Sequence, residues 1–198
     1  MRKIISTNWT SLDGYIADPR GSLDWILGED ELADYEINLV SAADILMLGR
    51  RTFTDFQSYW PNIPTNPNAQ PWERIYAEKV NAIRHVAISS TLKEVTWDQS
   101  EIVPEITRES IDRLKQGGDG TILMYGSVSV VTQLSALGLI DEYHVLTHPV
   151  VLGAGLPYFQ NIHNRLQLER VSVQPFKSGV TAMVFKPLVG ERKGFTWS

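Results

Sequence analysis

Three turns in the sequence combine small, hydroxyl and cationic residues in patterns suited to binding phosphate. Each follows a short apolar segment typical of a strand, and the three are Gly49-Arg50-Arg51-Thr52, Ser89-Ser90-Thr91 and Gly126-Ser127-Val128-Ser129. A helix that begins at such a turn offers unpaired backbone N–H groups, and a guanidinium fits phosphate oxygens through paired hydrogen bonds. Singly, each turn also has a structural explanation: solvated arginines, or serines that cap their own turn or helix. Together they predict one site for a ligand with several phosphates, because ligands of open α/β sheets bind at the carboxyl ends of strands.

Two carboxylates are candidates for supplying a proton. Asp13 lies in a loop rich in turn residues, and Glu36 lies within the apolar face of a predicted helix, among Leu32, Tyr35, Leu39, Val40 and Ala43. A carboxylate on an apolar face must pair, raise its pKa or face a cavity. The structural alternatives are that Asp13-Gly14 is an ordinary turn and that Glu36 belongs to an internal ion pair.

Aromatic residues in two predicted loops flank the expected cleft. Trp25 lies in the first loop, and Tyr59 and Trp60 lie in the proline-rich segment that follows the second helix. Such rings can stack on a flat heterocycle, or they can cover the edge of the core. We therefore expect Trp25 and Trp60 to contact a planar substrate.

The elements that must position these residues follow from apolar periodicity, which alternates short β-branched segments with longer amphipathic ones. The pattern predicts a three-layer α/β/α fold, with a central mixed, mostly parallel sheet and an antiparallel C-terminal hairpin. Strands are expected at 3–9, 44–48, 83–88, 121–125 and 141–149, helices at 30–43, 50–57, 72–81, 106–116 and 128–137, a loop at 59–71, and the hairpin at 165–174 and 180–186. One domain is expected over residues 1–189, with a tail over 190–198. The segment from Thr121 to Pro149 predicts a right-handed β-α-β unit.

Composition narrows the possible functions of the 198-residue chain. A net charge of -5 argues against a nucleic-acid partner, and the lack of cysteine excludes disulfides, thiolate zinc sites and cysteine nucleophiles. The four histidines lack metal-binding spacing, so no metal is expected. Without a signal peptide or an apolar segment long enough to span a bilayer, we expect a cytoplasmic protein with no membrane partner.

Five segments in register resemble the dihydrofolate reductase-like family. Leu48–Phe53 resembles the G-R-x-T of dihydrofolate reductases, Ile88–Ser90 is similar to their serine pair, and Met124–Ser127 to their glycine pair with one glycine replaced. Thr10–Ala17 closely resembles the S-L-D-G-x-I-A of the reductase domain of bacterial riboflavin biosynthesis, and His148–Gly155 is similar to the same branch. The chain is thus identified as a standalone member of that branch. It lacks the cysteine-containing deaminase segment of the bifunctional riboflavin enzymes, which argues against a housekeeping role in riboflavin synthesis.

The resemblance implies an NADPH-dependent reductase of a small planar heterocycle, either a pterin or a 5-amino-6-(5-phosphoribosylamino)uracil-like compound. It implies that Arg50, Arg51 and Thr52 after Gly49, with Ser89 and Ser90, hold the adenosine end and its 2′-phosphate. Gly126, Ser127, Val128 and Ser129 would bind the pyrophosphate, and the loop Asp13–Ala17, including Ile16 and Ala17, would line the nicotinamide. Asp34 aligns by spacing with the acidic residue of dihydrofolate reductases but falls on the polar helix face, so Glu36 ranks above it. A homodimer supported by the aliphatic segment His144–Leu152 is also implied.

Two other functional classes are alternatives to a reductase. A non-catalytic dinucleotide-binding or sensing protein would use the same scaffold, because a fold does not fix an activity. A Rossmann-type dehydrogenase is disfavoured because the sequence has no G-x-G-x-x-G followed by an acidic residue about twenty positions later.

Overall fold

The computed structural model describes residues 1–162 and 165–188. Its strands are β1 (Lys3–Thr10), β2 (Tyr15–Ala17), β3 (Ala43–Gly49), β4 (Arg84–Ile88), β5 (Ser100–Val103), β6 (Thr121–Tyr125), β7 (Glu142–Thr147), β8 (Leu156–Pro157), β9 (Leu168–Pro175) and β10 (Thr181–Pro187). Its helices are α1 (Asp30–Ser41), α2 (Arg50–Tyr59), α3 (Pro71–Ala82), α4 (Arg108–Lys115) and α5 (Val128–Ala136), with a 3-10 helix over Trp60–Thr65. The predicted tail, 190–198, lies outside the described residues.

Eight strands form one mixed sheet in the order β5-β4-β3-β6-β1-β7-β10-β9. The strands from β5 to β7 are parallel, whereas β10 is antiparallel to both β7 and β9. This arrangement confirms the predicted mixed, mostly parallel sheet with an antiparallel C-terminal hairpin. The carboxyl ends of β3, β4 and β6 therefore lie along the same edge, where a ligand can bind.

Alternation along the strands divides the core into two layers. Ile4, Ile45 and Met47 point to the side covered by α4 and α5, and their neighbours Ile5 and Leu46 point to the side covered by α1, α2 and α3. Because successive side chains of a strand face opposite sides of the sheet, a strand that is buried on both faces consists of consecutive apolar residues. The result is the predicted α/β/α layering.

The structure contains the two parallel strands and the connecting helix of the predicted β-α-β unit, but the two strands are not neighbours. β6 and β7 are parallel, but β1 lies between them and pairs with both, Ile5 with Leu123 on one side and with Glu142 on the other. The N-terminal strand thus lies at the centre of the sheet, between the two strands that the crossover joins. β7, which is part of the expected dimer segment, pairs with β1 on one side and with β10 on the other, so it has no free edge for a second copy.

Two further expectations about elements need correction. The proline-rich segment at 59–71 was expected to be a loop throughout, yet Trp60–Thr65 forms a 3-10 helix, since a proline near the first turn of a helix loses no hydrogen bond. The strand β5, over Ser100–Val103, was not predicted. It is a short edge strand that pairs only with β4 among the described residues, and its polar residues give no apolar signal.

Candidate active site

A large cavity opens at the carboxyl ends of the parallel strands. Its volume is about 1670 Å³, above the ~300–1,000 Å³ of ordinary small-molecule pockets. It therefore has room for a dinucleotide together with a second small molecule. From the predicted site it is lined by Ile16, Ala17, Glu36, Gly49, Arg50, Arg51, Thr52, Trp60, Gly126, Ser127, Val128 and Ser129.

The turns after β3 and β6 meet directly at this cavity. The Gly49 amide donates to Ser127 Oγ at 2.8 Å, and Thr52 Oγ1 lies 3.2 Å from the same oxygen. A Cβ at position 49 would lie 2.3 Å from Ser127 Oγ, so only glycine allows this approach. Two turns that are 75 residues or more apart in sequence thus form one continuous polar surface.

The turn at Gly126 holds the start of α5 open toward the cavity. Gly126 has φ +53, a left-handed conformation that favours glycine, and its amide donates to Asn8 Oδ1 at 2.8 Å. Ser127 makes no side-chain cap hydrogen bond at the start of α5, because its hydroxyl is committed to Gly49, so the alternative that this serine caps its own helix does not hold. The first amides of α5, at Val128 and Ser129, are left without a side-chain cap beside the cavity, as an anion-binding helix start requires.

Arg50 and Arg51 begin α2 on the same side of the cavity. Both side chains are exposed, and within the described part of the chain neither forms an ion pair. Gly49 caps α2 without a side chain, so the first amides of this helix also lack a cap. Two unpaired guanidinium groups beside two uncapped helix starts make this end of the cavity strongly favourable for phosphate.

Glu36 also lies in the wall of the cavity. It is 5% exposed, Trp9 Nε1 donates to Oε1 at 2.9 Å, and the Tyr125 hydroxyl donates to Oε2 at 2.6 Å. Burial raises the pKa of Glu36 to about 7, against the opposing effect of these two donors. The carboxyl therefore exchanges a proton near neutral pH, as a general acid must. It has no cationic partner among the described residues, so the alternative of an internal ion pair does not hold.

Aromatic side chains surround this carboxyl. The Trp60 ring lies 4.5 Å from the Tyr76 ring and 6.0 Å from that of Phe56, which in turn lies 5.6 Å from the Tyr125 ring. Because these rings exclude water, they maintain the low polarity that keeps the pKa of Glu36 high.

Asp13, the other candidate proton donor, does not line the cavity. Its carboxylate accepts from Ser11 Oγ at 2.7 Å and from the amides of Leu152 and Gly153 at 3.1 and 2.7 Å. These hydrogen bonds, that of Ser11 foremost, lower the pKa of Asp13. Asp13 thus joins two loops and is ionised at neutral pH, which makes it a poor proton donor.

Three other predicted residues are not brought to the cavity. Ser89 Oγ accepts from the amides of Thr91 and Leu92 at 3.2 and 2.9 Å, which closes its own turn, and Ser90 is exposed. Trp25 packs edge-on against His148, with ring centroids 5.3 Å apart, and donates to the Ser22 carbonyl. No residue of the turn Ser89-Ser90-Thr91 lines the cavity, although Ile88 at the end of β4 does. Near Trp25 in sequence, the lining residues are Leu23, Ile26 and Leu27.

Several residues of the site were not identified from the sequence. Asn8, Trp9 and Tyr125 lie in strands, and Tyr76 in α3, where each fits an ordinary buried pattern. Asn8 was the one detectable case, since a buried amide within an apolar strand needs a hydrogen-bond partner.

The fold is an α/β fold of the dihydrofolate reductase type, and its cavity has two arginines at one end and a buried acid in its wall. The chain belongs to the RibD C-terminal domain family, whose model matches residues 2–182. This confirms the branch that the sequence motifs indicated. In the described residues, none of the helices has the length and apolar character to cross a membrane.

Individual proteins show the same relationship. The Bacillus subtilis (strain 168) protein YyaP, whose function is uncharacterized, is 29% identical over 185 residues, covering 93% of this chain and 94% of its own. A Shewanella sp. PV-4 protein that its name assigns to riboflavin biosynthesis has a TM-score of 0.75 at 23% identity, covering 94% of this chain and 99% of its own. Enterococcus faecalis dihydrofolate reductase, solved with NADP(H), has a TM-score of 0.61 at 15% identity, with 93% and 96% covered. At these identities the two solved structures establish the shared fold.

Proposed function

We propose that the protein is an NADPH-dependent reductase that transfers a hydride to a small planar heterocycle, a pterin or a 5-amino-6-(5-phosphoribosylamino)uracil-like compound. One observation carries the proposal: the same cavity is lined by two arginines that form no ion pair in the described part of the chain and by a buried carboxyl whose pKa lies near 7. The similarity to a dihydrofolate reductase solved with NADP(H) supports it at the level of the fold.

The residues of the cavity fit a phosphorylated dinucleotide. The uncapped starts of α2 and α5 would hold its phosphates, and Arg50 and Arg51 would bind the 2′-phosphate that distinguishes NADPH from NADH. Ile16 and Ala17, which also line the cavity, would contact the nicotinamide end. When bound, NADPH supplies the hydride.

The protein's own contribution to the chemistry is a proton and a dry environment. Glu36 holds its proton at a carboxyl oxygen near pH 7 and can donate it to a substrate nitrogen in the cavity. Trp9 and Tyr125 fix both oxygens of this carboxyl, and Trp60 offers an aromatic surface to a flat substrate. The carboxyl is thereby positioned before the substrate binds.

The cofactor half of the proposal is tested by comparing NADPH and NADH. Replacing Arg50 and Arg51 together by alanine should weaken NADPH binding about a hundredfold, because each charge-assisted hydrogen bond contributes ~1.5 kcal/mol or more. NADH, which lacks the 2′-phosphate, should change by less than about threefold. The control is the double variant Arg165→Ala and Arg170→Ala, which removes two exposed arginines outside the cavity lining. Equal losses for both nucleotides would contradict the proposal.

The catalytic half is tested by turnover. NADPH oxidation should be measured with 7,8-dihydrobiopterin and with 5-amino-6-(5-phosphoribosylamino)uracil, in the wild type and in Glu36→Gln. Oxidation that needs Glu36 supports a reductase, whereas tight NADPH binding with no oxidation favours the dinucleotide-binding or sensing protein.

We also propose a homodimer, for which sedimentation should give twice the chain mass of 22.3 kDa. Because β7 is enclosed by β1 and β10, contact would have to involve other surfaces.

A further inference from the structure

Positive charge is confined to one end of the cavity. Among the described residues that line it, the cations are Arg50 and Arg51, at the start of α2. Trp60 follows the end of the same helix, and at a rise of 1.5 Å per residue it lies about 14 Å further along the helix axis than Arg51. The two arginines are thus committed to the end where the turns at Gly49 and Gly126 meet.

The other end of the cavity is aromatic, and its walls include Trp60, Tyr59 and Trp72, of which Trp72 is 39% exposed. Carboxyl groups also line the cavity: those of Glu36, Glu29 and Asp30, that of Asp18, and that of Asp55, which lies one helical turn after Arg51. Beyond the two arginines, the charged groups of the described lining are therefore acidic.

Basic residues close to this end already have partners. Lys177 Nζ lies 2.7 Å from Glu31 Oε1, and Arg74 donates to the carbonyls of Pro64 and Asn66 at 3.4 and 2.6 Å. Neither residue lines the cavity. An anionic group on a substrate would therefore lose hydration in a cavity whose wall includes the carboxylates of Glu29 and Asp30, without gaining a cation, which is unfavourable.

We propose that the substrate is a flat heteroaromatic compound that is uncharged or cationic and carries neither a phosphate nor a carboxylate. The inference rests on the proposed reductase function and narrows it, because it disfavours phosphoribosyl compounds and folates with their carboxylate tails. Aromatic rings beside carboxyl groups attract planar rings and cations alike.

The test uses two pairs of probes that share a ring and differ in anionic charge. Binding of riboflavin and flavin mononucleotide, and of 7,8-dihydrobiopterin and 7,8-dihydrofolate, is measured with saturating NADP⁺ so that the arginines are occupied. We expect the uncharged member of each pair to bind at least about tenfold more tightly. Equal or tighter binding of the charged members, or no binding of any probe, overturns the inference.

A charge reversal at Asp30 gives a second measurement. Asp30→Lys should improve binding of flavin mononucleotide by about tenfold and leave riboflavin nearly unchanged. Asp34→Lys is the matched control, since Asp34 is exposed on the same helix and does not line the cavity. An Asp30→Lys variant that alters both flavins equally, or neither, contradicts the charge argument. Titration with NADP⁺ alone separates the two hypotheses: NADP⁺ binding with reversed probe preference refutes only this inference, whereas no NADP⁺ binding refutes the proposed function.

Discussion

Replacing Glu36 by glutamine should remove a pH-dependent loss of stability. Burial raises the pKa of this carboxyl from 4.5 to about 7 in the folded protein, whereas in the unfolded chain it keeps its ordinary value. Between these two values the folded state binds more protons than the unfolded state, so the free energy of unfolding falls as pH rises. The favourable contribution is complete below about pH 4.5 and is lost by about pH 7.

The magnitude follows from the size of the shift. At 1.36 kcal/mol per pKa unit, the raised pKa corresponds to about 3 kcal/mol in total, of which roughly 2 kcal/mol is lost between about pH 5 and pH 8. Glutamine does not titrate and can keep both hydrogen bonds, accepting from Trp9 and donating to the Tyr125 oxygen. Between about pH 5 and pH 8, the free energy of unfolding of the wild type should therefore fall by roughly 2 kcal/mol more than that of Glu36→Gln.

The assay is urea denaturation at about pH 5 and pH 8, followed by tryptophan fluorescence. Titration of other groups, such as His148, whose pKa burial lowers to about 4, affects both proteins and cancels in the comparison. Asp34→Asn, an exposed carboxylate on the same helix, is the control and should behave as the wild type. If wild type and Glu36→Gln lose the same stability between the two pH values, the carboxyl is ionised in the folded protein and the reasoning is refuted.

Three further predictions concern the site. Tyr125→Phe removes a donor that lowers the pKa of Glu36, so this pKa should rise further. In the same denaturation experiments the fall in stability should then occur at higher pH, and any activity that needs the acid should shift in the same direction. Asp13→Asn should leave turnover within about threefold of wild type and lower the midpoint of urea denaturation, because its carboxylate only joins two loops; a hundredfold loss of turnover would show that the acid was assigned to the wrong residue. Gly49→Ala should weaken NADPH binding at least tenfold in a fluorescence titration, since its Cβ would lie 2.3 Å from Ser127 Oγ; unchanged affinity would mean that contact between the two turns does not matter.

Local patterns in the sequence were sufficient for most of the fold. Helix ends agree within a few residues where capping is explicit, as at α4, where Thr107 accepts from the Ser110 amide at 3.0 Å. Strands buried on both faces, such as β3, were evident as apolar runs. The position of β1 between β6 and β7 was not predictable, because pairing between distant strands leaves no local pattern.

The candidate site was only partly accessible to the same reasoning. Helical periodicity placed Glu36 in an apolar face, and the structure shows why that matters, since its partners Trp9 and Tyr125 come from two neighbouring strands of the sheet. Asp13 and Trp25 were chosen from a motif and from loop position, and neither criterion specifies the direction of a side chain. In the structure Asp13 accepts from the Gly153 amide and Trp25 packs against His148, and neither of the two residues lines the cavity.

If the turns at Gly49 and Gly126 bind one phosphorylated dinucleotide together, titration of NADP⁺ into ¹⁵N-labelled protein should show it residue by residue. We expect saturable shifts of the backbone amides from Arg50 to Thr52 and from Gly126 to Ser129, with smaller shifts at Ser89 and Ser90, which do not line the cavity. Shifts confined to other parts of the chain, or no shifts at saturating NADP⁺, would contradict this joint binding.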